Sequence, residues 1–243
     1  MIRGLLKLSI FLCVVTVQLR AADMTAQYMI GGADFLPDTA YFQQLCHNPL
    51  FYCRSVQSGE TWVSLFPNPK TRELMMRLNR TNVPLQYRTH VIMPRDISKV
   101  DYQQLSPLPE HTHTDGHRLL YVDLAKFAFA AYNKQGERVL WGPASGGKAW
   151  CEDTKSSCLT KTGRFHIFRI KGKDCRSGTY PLETKGGAQM PYCMYYYRGF
   201  AIHASTLSGF INRSRGCIRL FDRDAQWLNQ HFVRLGTEVI VKS

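Results

Sequence analysis

The chain has 243 residues, a formal net charge of +13 and 44% hydrophobic residues, which is an ordinary proportion for a globular protein. Beyond the N-terminal segment, no apolar run reaches the roughly 20 residues of a membrane-spanning helix, so the sequence predicts no membrane span. The basic charge favours acidic partners, such as anionic wall polymers or membrane surfaces. No nucleic-acid-binding motif is present, which argues against nucleic acid as a partner.

The N-terminal residues have the pattern of a secretory signal peptide. Arg3 and Lys7 precede an apolar run, and the small residues Ala21 and Ala22 follow it. We therefore predict a signal peptide at residues 1–22 and an exported product that is periplasmic or secreted.

Cysteine counting predicts three disulfide bonds and one free thiol in the exported chain. Of the eight cysteines, Cys13 lies in the signal peptide, which leaves seven. In an oxidising compartment six of these can pair. Sequence order favours near neighbours, although it does not fix connectivity: Cys46 with Cys53, Cys151 with Cys158, and Cys175 with Cys193. Residues 23–53 then form a disulfide-bearing segment, and Cys217 is the free thiol. A structural half-cystine at Cys217 is the alternative.

Residues 54–95 predict a small module of strand, helix, helix and strand. A glycine turn at Gly59 leads into a helix that begins near Thr61. Residues 71–80 place apolar side chains at helical spacing, and residues 89–93 read as the closing strand.

This module resembles a LysM domain. The resemblance rests on Val56-x-x-Gly59-Glu60-Thr61-Trp62, Asn79-x-x-Asn82, Leu85 and Val91-Ile92-Met93-Pro94. LysM modules bind glycans that contain N-acetylglucosamine, so the resemblance implies docking on peptidoglycan glycan strands through Gly59, Thr61, Trp62, Asn79 and Asn82. Turn geometry accounts for part of the same motif. Gln86-Tyr87-Arg88 stands where the family usually has a glycine.

A change in composition near Pro94 to His117 predicts a linker at residues 96–117, which is rich in proline and polar residues. The linker contains His111, His113 and His117, whose spacing is compatible with a metal site. No cysteine or carboxylate cluster completes such a site, so we favour a solvated linker and predict no metal.

The remaining residues, 118–243, predict a mainly β domain with one late helix. Strands are expected at 119–124, 127–132, 139–141, 163–170, 193–202 and 238–241. The helix is expected at 222–235, where the sequence is amphipathic and Gly236 follows.

One compact stretch, from His203 to Leu220, has the parts of a thiol acyl-transfer site. A cysteine nucleophile needs a base, which His203 supplies to Cys217. Gly216 gives the backbone freedom to bring N–H groups close to a developing oxyanion. Because the surrounding domain is mainly β, this site differs from that of papain, whose nucleophile begins a helix near the mature N-terminus.

Several motifs of this domain belong together: Val122-Asp123-Leu124, Thr160 to Phe165, Met190 to Met194, Gly199 to His203, Ser214 to Leu220, and Gly236 to Ile240. In these motifs residues 118–243 resemble the catalytic domain of the L,D-transpeptidase family. The chain departs from the family at Ala204, where glycine is usual, at Arg215, where histidine is usual, and at Lys161, where proline is usual. The spacing from His203 to Ser214 is also short.

The resemblance implies an L,D-transpeptidase-like β-sandwich with a late helix, beside the small α/β LysM-like module. It implies that Cys217 is the nucleophile, that His203 is the base and acid, that the Ala204 carbonyl orients the imidazole, and that Gly216 contributes a backbone oxyanion donor. The substrate-binding residues it implies are Met194, Ser214, Arg215 and Arg219.

The two arginines have specific expected roles. A cation at Arg215 is expected to lower the pKa of the neighbouring thiol. Arg219 is expected to bind a substrate carboxylate, because a planar guanidinium suits that group. The alternative for Arg219 is a structural ion pair with Asp222 or Asp224.

The function implied is acyl transfer on peptidoglycan stem peptides, without metal or organic cofactor. Cys217 attacks the carbonyl that joins the L-centre of diaminopimelate to D-alanine, and His203 protonates the departing D-alanine. A second stem, a D-amino acid, a lipoprotein lysine or water then takes the acyl group. Carbapenems are the inhibitors implied. The alternatives are an L,D-carboxypeptidase that trims the same stems, and a non-catalytic protein of cell-wall binding or host interaction.

Overall fold

The structure is a computed structural model that describes residues 40–243. The predicted signal peptide at residues 1–22 and the first part of the predicted segment 23–53 lie outside the described residues. Within the described part of the chain, no helix is long and apolar enough to cross a membrane.

The N-terminal part of the described chain is a small α/β module. Its elements are α1 Ala40–Cys46, β1 Phe51–Ser55, α2 Trp62–Leu65, α3 Pro69–Leu78 and β2 His90–Pro94, with a 3₁₀ turn at Leu85–Tyr87. β1 and β2 pair antiparallel, which confirms the predicted order of strand, helix, helix and strand. The helices begin where the sequence supplies caps: the Thr61 side chain caps α2, and Asn68 caps α3 ahead of Pro69.

The core of this module includes two aromatic side chains from the C-terminal part of the chain. Phe210 contacts Phe42 edge to face with ring centroids 5.4 Å apart, and it contacts Phe127 at 5.9 Å. All three rings are buried in one cluster with Trp62 and Met75. Because these rings lie in one cluster, the module and the C-terminal part share a core. Burying each ring stabilises the fold by about 1.5–3 kcal/mol.

A nine-stranded mixed sheet forms the C-terminal part. Its elements, with the separate hairpin β6–β7, are β3 Leu119–Asp123, β4 Ala128–Tyr132, β5 Arg138–Ser145, β6 Trp150–Cys151, β7 Ser156–Ser157, β8 Gly163–His166, β9 Arg169–Ile170, β10 Met194–Tyr197, β11 Phe200–Ala204, β12 Ile218–Leu220 and β13 Glu238–Lys242. The strand order is β8-β13-β3-β4-β5-β12-β11-β10-β9, and only β3–β13 and β11–β12 are parallel. The mainly β class is as predicted.

The two edge strands of this sheet are neighbours in sequence. β8 and β9 lie at opposite edges, and only Ile167 and Phe168 separate them. Because two residues span less than about 8 Å, the edges come together and the sheet curls. The predicted single strand at 163–170 is therefore two strands.

Alternation of side chains divides the sheet into two apolar faces. On β3, Leu120 and Val122 belong to the cluster inside the curl, whereas Leu119 and Tyr121 belong to a cluster on the outer face. The late helix packs over the inner cluster as α4 Asp222–Trp227, and a π-helical turn at Leu228–Phe232 continues it.

The outer face is covered by part of the segment predicted to be a solvated linker. Tyr102 stacks on Trp141 with ring centroids 4.6 Å apart, and the Trp141 indole N–H donates to the Tyr102 carbonyl at 2.9 Å. Leu108 is buried in the same cluster. The linker prediction is therefore corrected at Tyr102 and Leu108, because a few apolar side chains in a polar segment are enough to cover a sheet.

Candidate active site

Strand register brings Cys217, His203 and Arg219 to one face of the sheet. On the parallel strands β11 and β12, His203 lies opposite Arg219, and Ile202 lies opposite Ile218. Cys217 directly precedes β12, two positions before Arg219, so alternation turns both side chains to the same face. Ile202 and Ile218 point to the opposite face, into the core. Continuing the register by one position places Cys217 level with Ala201, so Cys217 and His203 lie diagonally across neighbouring strands on one face.

A backbone carbonyl fixes the tautomer of His203. Its Nδ1 lies 2.8 Å from the Ala204 carbonyl oxygen. A carbonyl oxygen only accepts hydrogen bonds, so Nδ1 carries the proton and Nε2 keeps the lone pair of a base. Ala204 acts here through its main chain, so alanine in place of the family's glycine leaves this contact intact.

Burial keeps both members of the pair uncharged near neutral pH. It lowers the pKa of His203 to about 4, although the hydrogen bond to Ala204 acts in the opposite direction and Arg219 lowers the pKa further. Burial also raises the pKa of the Cys217 thiol, although a backbone contact at Ala201 and the Arg219 cation act in the opposite direction. The resting site therefore holds an uncharged thiol and an uncharged imidazole.

The sequence predicted that Arg215 is the cation that lowers the pKa of the thiol, but the structure does not give Arg215 this role. Its guanidinium forms an ion pair with Asp153 and lies over the Tyr180 ring, 4.9 Å from the centroid. Asp153 belongs to the loop closed by the disulfide Cys151–Cys158, and Tyr180 belongs to the loop closed by Cys175–Cys193. Arg215 therefore connects two disulfide-closed loops, and the cation that acts on the thiol is Arg219.

Arg219 is a half-buried cation without a carboxylate partner. Among residues 40–243 it forms no ion pair, and its Nε has no hydrogen-bond partner. The alternative pairing with Asp224 is not formed, because Asp224 pairs with Arg77. A guanidinium in this position is available to a substrate carboxylate.

The turn before the nucleophile is built by Ser214 and Gly216. The Gly216 N–H donates to the Ser214 Oγ at 3.0 Å, and this hydroxyl donates to the Cys217 carbonyl at 2.5 Å. Gly216 has φ +111, and a Cβ there would lie 2.6 Å from the Phe200 ring. Only glycine fits this position. The Gly216 N–H, which the family resemblance suggested as an oxyanion donor, thus donates to Ser214 in this structure.

The comparison with protein families identifies this arrangement. The YkuD model, described as the L,D-transpeptidase catalytic domain, matches residues 117–241. The chain belongs to this family. It is thus an enzyme of the L,D-transpeptidase class, and residues 117–241 are its YkuD domain.

The comparison with solved structures finds L,D-transpeptidases. The crystal structure of residues 123–326 of the enzyme from Xylanimonas cellulosilytica matches with a TM-score of 0.52 and 18% identity, over 77% of this chain and 97% of that one. The enzyme from Mycobacterium smegmatis matches with a TM-score of 0.42 and 23% identity, over 52% of this chain and 59% of that one.

L,D-transpeptidase 3 from Mycobacterium tuberculosis, in complex with a faropenem-derived adduct, matches with a TM-score of 0.42 and 21% identity. That match covers 52% of this chain and 60% of the mycobacterial chain. No curated protein matches this chain in sequence.

The predicted cysteine pattern of this L,D-transpeptidase is confirmed. Disulfides join Cys46 to Cys53, Cys151 to Cys158, and Cys175 to Cys193. Cys217 is the free cysteine among the described residues. It packs against the cluster that surrounds the Cys175–Cys193 disulfide, so the loop closed by this disulfide lies against Cys217 in the YkuD domain.

Tyr196, which no sequence motif singled out, has a buried hydroxyl without a hydrogen-bond partner in the described part of the chain. Burial raises its pKa, and Cys217 acts in the same direction. A register shift between Tyr195 and Tyr197 breaks the alternation of β10, so periodicity gives no sign of where Tyr196 points.

Met194 is not a substrate contact in the YkuD domain. Its side chain is fully buried in the cluster inside the curled sheet, opposite Ile202 in the ladder of β10 and β11. The sequence prediction at this position is corrected, because Met194 lies on the core face of its strand.

Three of the five residues predicted to bind glycan are held by contacts within the fold. Gly59 and Thr61 are exposed, but Trp62 is buried and its indole N–H donates to a backbone carbonyl. The Asn79 side chain is buried between α3 and β2, and it donates to one backbone carbonyl in each and accepts from the N–H of Ile92. Asn82 contacts the chain beyond β11. Trp62, Asn79 and Asn82 therefore have structural contacts.

The histidines of segment 96–117 do not form a metal centre. In residues 40–243, no group of three or more histidine, cysteine, aspartate or glutamate residues is placed to hold a metal ion. His113 instead contacts the Asp115 carboxylate at the surface.

Proposed function

We propose that this protein is an exported cysteine acyltransferase that carries out L,D-transpeptidation on peptidoglycan stem peptides. The observation that supports it best is the placement of Cys217 and His203 on one face of two neighbouring strands, with Nδ1 of His203 held by the Ala204 carbonyl. This contact reserves Nε2 for the thiol proton, as nucleophilic catalysis by cysteine requires.

The proposed first step acylates Cys217. As its Sγ attacks the carbonyl between the L-centre of diaminopimelate and D-alanine, the thiol proton passes to Nε2 of His203. The amide bond then breaks, His203 returns the proton to the departing D-alanine amine, and a thioester remains on Cys217.

The proposed second step transfers the acyl group. An acceptor amine attacks the thioester while Nε2 of His203 takes its proton, and the sulfur leaves and is protonated again. A second stem, a D-amino acid, a lipoprotein lysine or water fits this chemistry equally. With water as the acceptor, the product is the trimmed stem of an L,D-carboxypeptidase.

Arg219 supplies the substrate contact in this proposal. Stem peptides carry carboxylates, and Arg219 is a half-buried guanidinium beside the thiol that no described carboxylate neutralises. A charge-assisted bond from Arg219 to a stem carboxylate holds the scissile carbonyl near Cys217.

An exported location is part of the proposal, and the disulfides support it. Three disulfide bonds in one chain are typical of proteins that fold outside the reducing cytoplasm. The signal-peptide pattern at residues 1–22 gives the route of export.

Docking of the LysM-like module on glycan strands belongs to the same proposal, through the exposed turn at Gly59 and Thr61. A sacculus pull-down at low and high salt tests it. Glycan recognition is expected to persist at high salt, because it does not depend on charge. Binding that disappears at high salt would show that the basic surface alone attaches the protein.

Muropeptide analysis tests the reaction. Purified sacculi are incubated with the wild-type protein and with Cys217→Ser, and the digested products are separated. New dimers with the wild type alone support transpeptidation, and trimmed monomers identify the hydrolytic alternative. An unchanged pattern would show a non-catalytic wall protein.

A further inference from the structure

The chain that follows His203 leaves the sheet and is held by the turn after α3. β11 ends at Ala204, and residues 205–208 then lie against Thr81 and Asn82. Thr81 forms an isolated antiparallel bridge with Ser208. The LysM-like module therefore provides the neighbour that the sheet no longer provides.

Four hydrogen bonds form this contact. The Asn82 side chain donates to the Ser205 carbonyl at 3.0 Å and accepts from the Leu207 N–H at 2.7 Å. The Leu207 carbonyl accepts from the Asn82 N–H at 3.2 Å and from the Thr81 hydroxyl at 3.0 Å. One asparagine side chain thus uses both its donor and its acceptor on a single loop.

Further contacts hold the next residues of the same loop. The Gly209 N–H donates to the Arg80 carbonyl at 3.1 Å, and an Arg88 guanidinium N–H donates to the Ser208 carbonyl. Phe210 is fully buried in the core of the module. The loop between His203 and Cys217 is therefore fixed along its first half by the module.

This contact reaches the catalytic histidine through two consecutive peptide units. The Ala204 carbonyl, which accepts from Nδ1 of His203, belongs to the peptide unit that ends in the Ser205 N–H. That N–H donates to the Leu220 carbonyl at 3.0 Å, and the next carbonyl accepts from Asn82. The direction of the Ala204 carbonyl is thus set by a strand on one side and by Asn82 on the other.

We infer that Asn82 is a positioning residue for His203, and that the LysM-like module braces the catalytic loop from within the same chain. The inference rests on the proposed roles of His203 and Cys217. It also gives the Asn79-x-x-Asn82 motif two separate functions: Asn79 closes the module, and Asn82 holds the loop.

Substitution of Asn82 tests the inference. Asn82→Ala removes both side-chain bonds to the loop, and Asn82→Asp keeps the acceptor for Leu207 but loses the donor to Ser205. Asn79→Ala is the matched control, because it removes buried asparagine bonds from the same turn without touching the loop.

Two measurements are made on folded protein well below the unfolding temperature. The first is the NMR titration of His203, and the second is the rate at which imipenem acylates Cys217. Asn82→Ala is expected to shift the pKa of His203 away from about 4, because the Ala204 hydrogen bond that raises this pKa and the burial that lowers it both change, and to slow acylation about tenfold, because the imidazole loses its orientation. Asn82→Asp is expected to shift both in the same direction by less, and Asn79→Ala neither.

Equal titration curves for wild type, Asn82→Ala and Asn82→Asp would overturn the inference, as would equal changes in the Asn82→Ala and Asn79→Ala proteins. The titration needs no turnover, so it tests the positioning of His203 even if imipenem does not react. A wild-type protein that forms no adduct would instead contradict the proposed function.

Discussion

Arg77 and Asp224 form a buried, bidentate ion pair that joins α3 of the N-terminal α/β module to α4 of the YkuD domain. The two bonds measure 2.7 and 2.8 Å, and both side chains are almost fully inaccessible. Burial alone lowers the pKa of Arg77, but Asp224 raises it above its ordinary value. The pair therefore fixes the position of the module that holds the catalytic loop.

Arg77→Ala is expected to destabilise the whole protein. Asp224 would remain buried without a partner, so the free energy of unfolding should fall by about 3–5 kcal/mol in denaturant titrations. Arg223→Ala is the control, because its ion pair with Glu73 at 3.1 Å is exposed and is worth about 0–1 kcal/mol. Equal losses in the two variants would contradict the structural role of the buried pair.

The rate of Cys217 acylation is expected to depend on pH through His203. Because burial lowers the pKa of His203 to about 4, the base stays neutral above that pH. The imipenem acylation rate should therefore fall only as the pH drops through about 4, where His203 becomes protonated. It should show no inflection near the ordinary histidine pKa of about 6.5. A fall in the rate centred near pH 6.5 would show that the imidazole is not desolvated.

The same shift predicts a pH dependence of stability. In the unfolded chain the histidine has a pKa near 6.5, so between that pH and about 4 the unfolded state binds more protons than the folded state. Stability should rise with pH across this window, and His203→Gln should remove this part of the dependence. Urea titrations at several pH values measure both slopes, and identical slopes would count against a buried neutral His203.

The ion pair of Arg215 with Asp153 is expected to restrict access to the thiol. Arg215→Ala and Asp153→Ala each release the loop closed by Cys151–Cys158 from the turn before Cys217. Alkylation of Cys217 by iodoacetamide should therefore speed up about equally in both variants, and the double variant should add nothing further. Additive effects of the two alanine substitutions would show that the residues act separately.

Arg215→His, which restores the usual family residue, should keep turnover but change substrate preference.

The sequence predicted the parts of the structure that depend on local signals. Apolar alternation located β3 and β4, a start signal near Thr61 located α2, apolar residues at helical spacing located α3, and an odd number of cysteines singled out Cys217. These signals act within a few residues, so they are visible before the chain is folded.

The sequence did not predict contacts between distant segments. Arg77 and Asp224 are 147 residues apart, and Arg215 and Asp153 are 62 residues apart. Asn82 was interpreted as a glycan contact because an asparagine in a turn suits either function, and only the position of the Ser205 loop distinguishes them. Met194 was misassigned because its motif does not show which face of β10 lines the core.

Covalent capture of Cys217 tests the proposed acyl transfer most directly. The wild-type protein, Cys217→Ser and His203→Ala are incubated with imipenem, and their intact masses are followed over time. The wild type should gain the mass of one imipenem, Cys217→Ser should gain none, and His203→Ala should react about 100-fold more slowly, because it lacks the positioned base. A folded wild-type protein that gains no mass, or an adduct that persists in Cys217→Ser, would contradict a cysteine acyltransferase at this site.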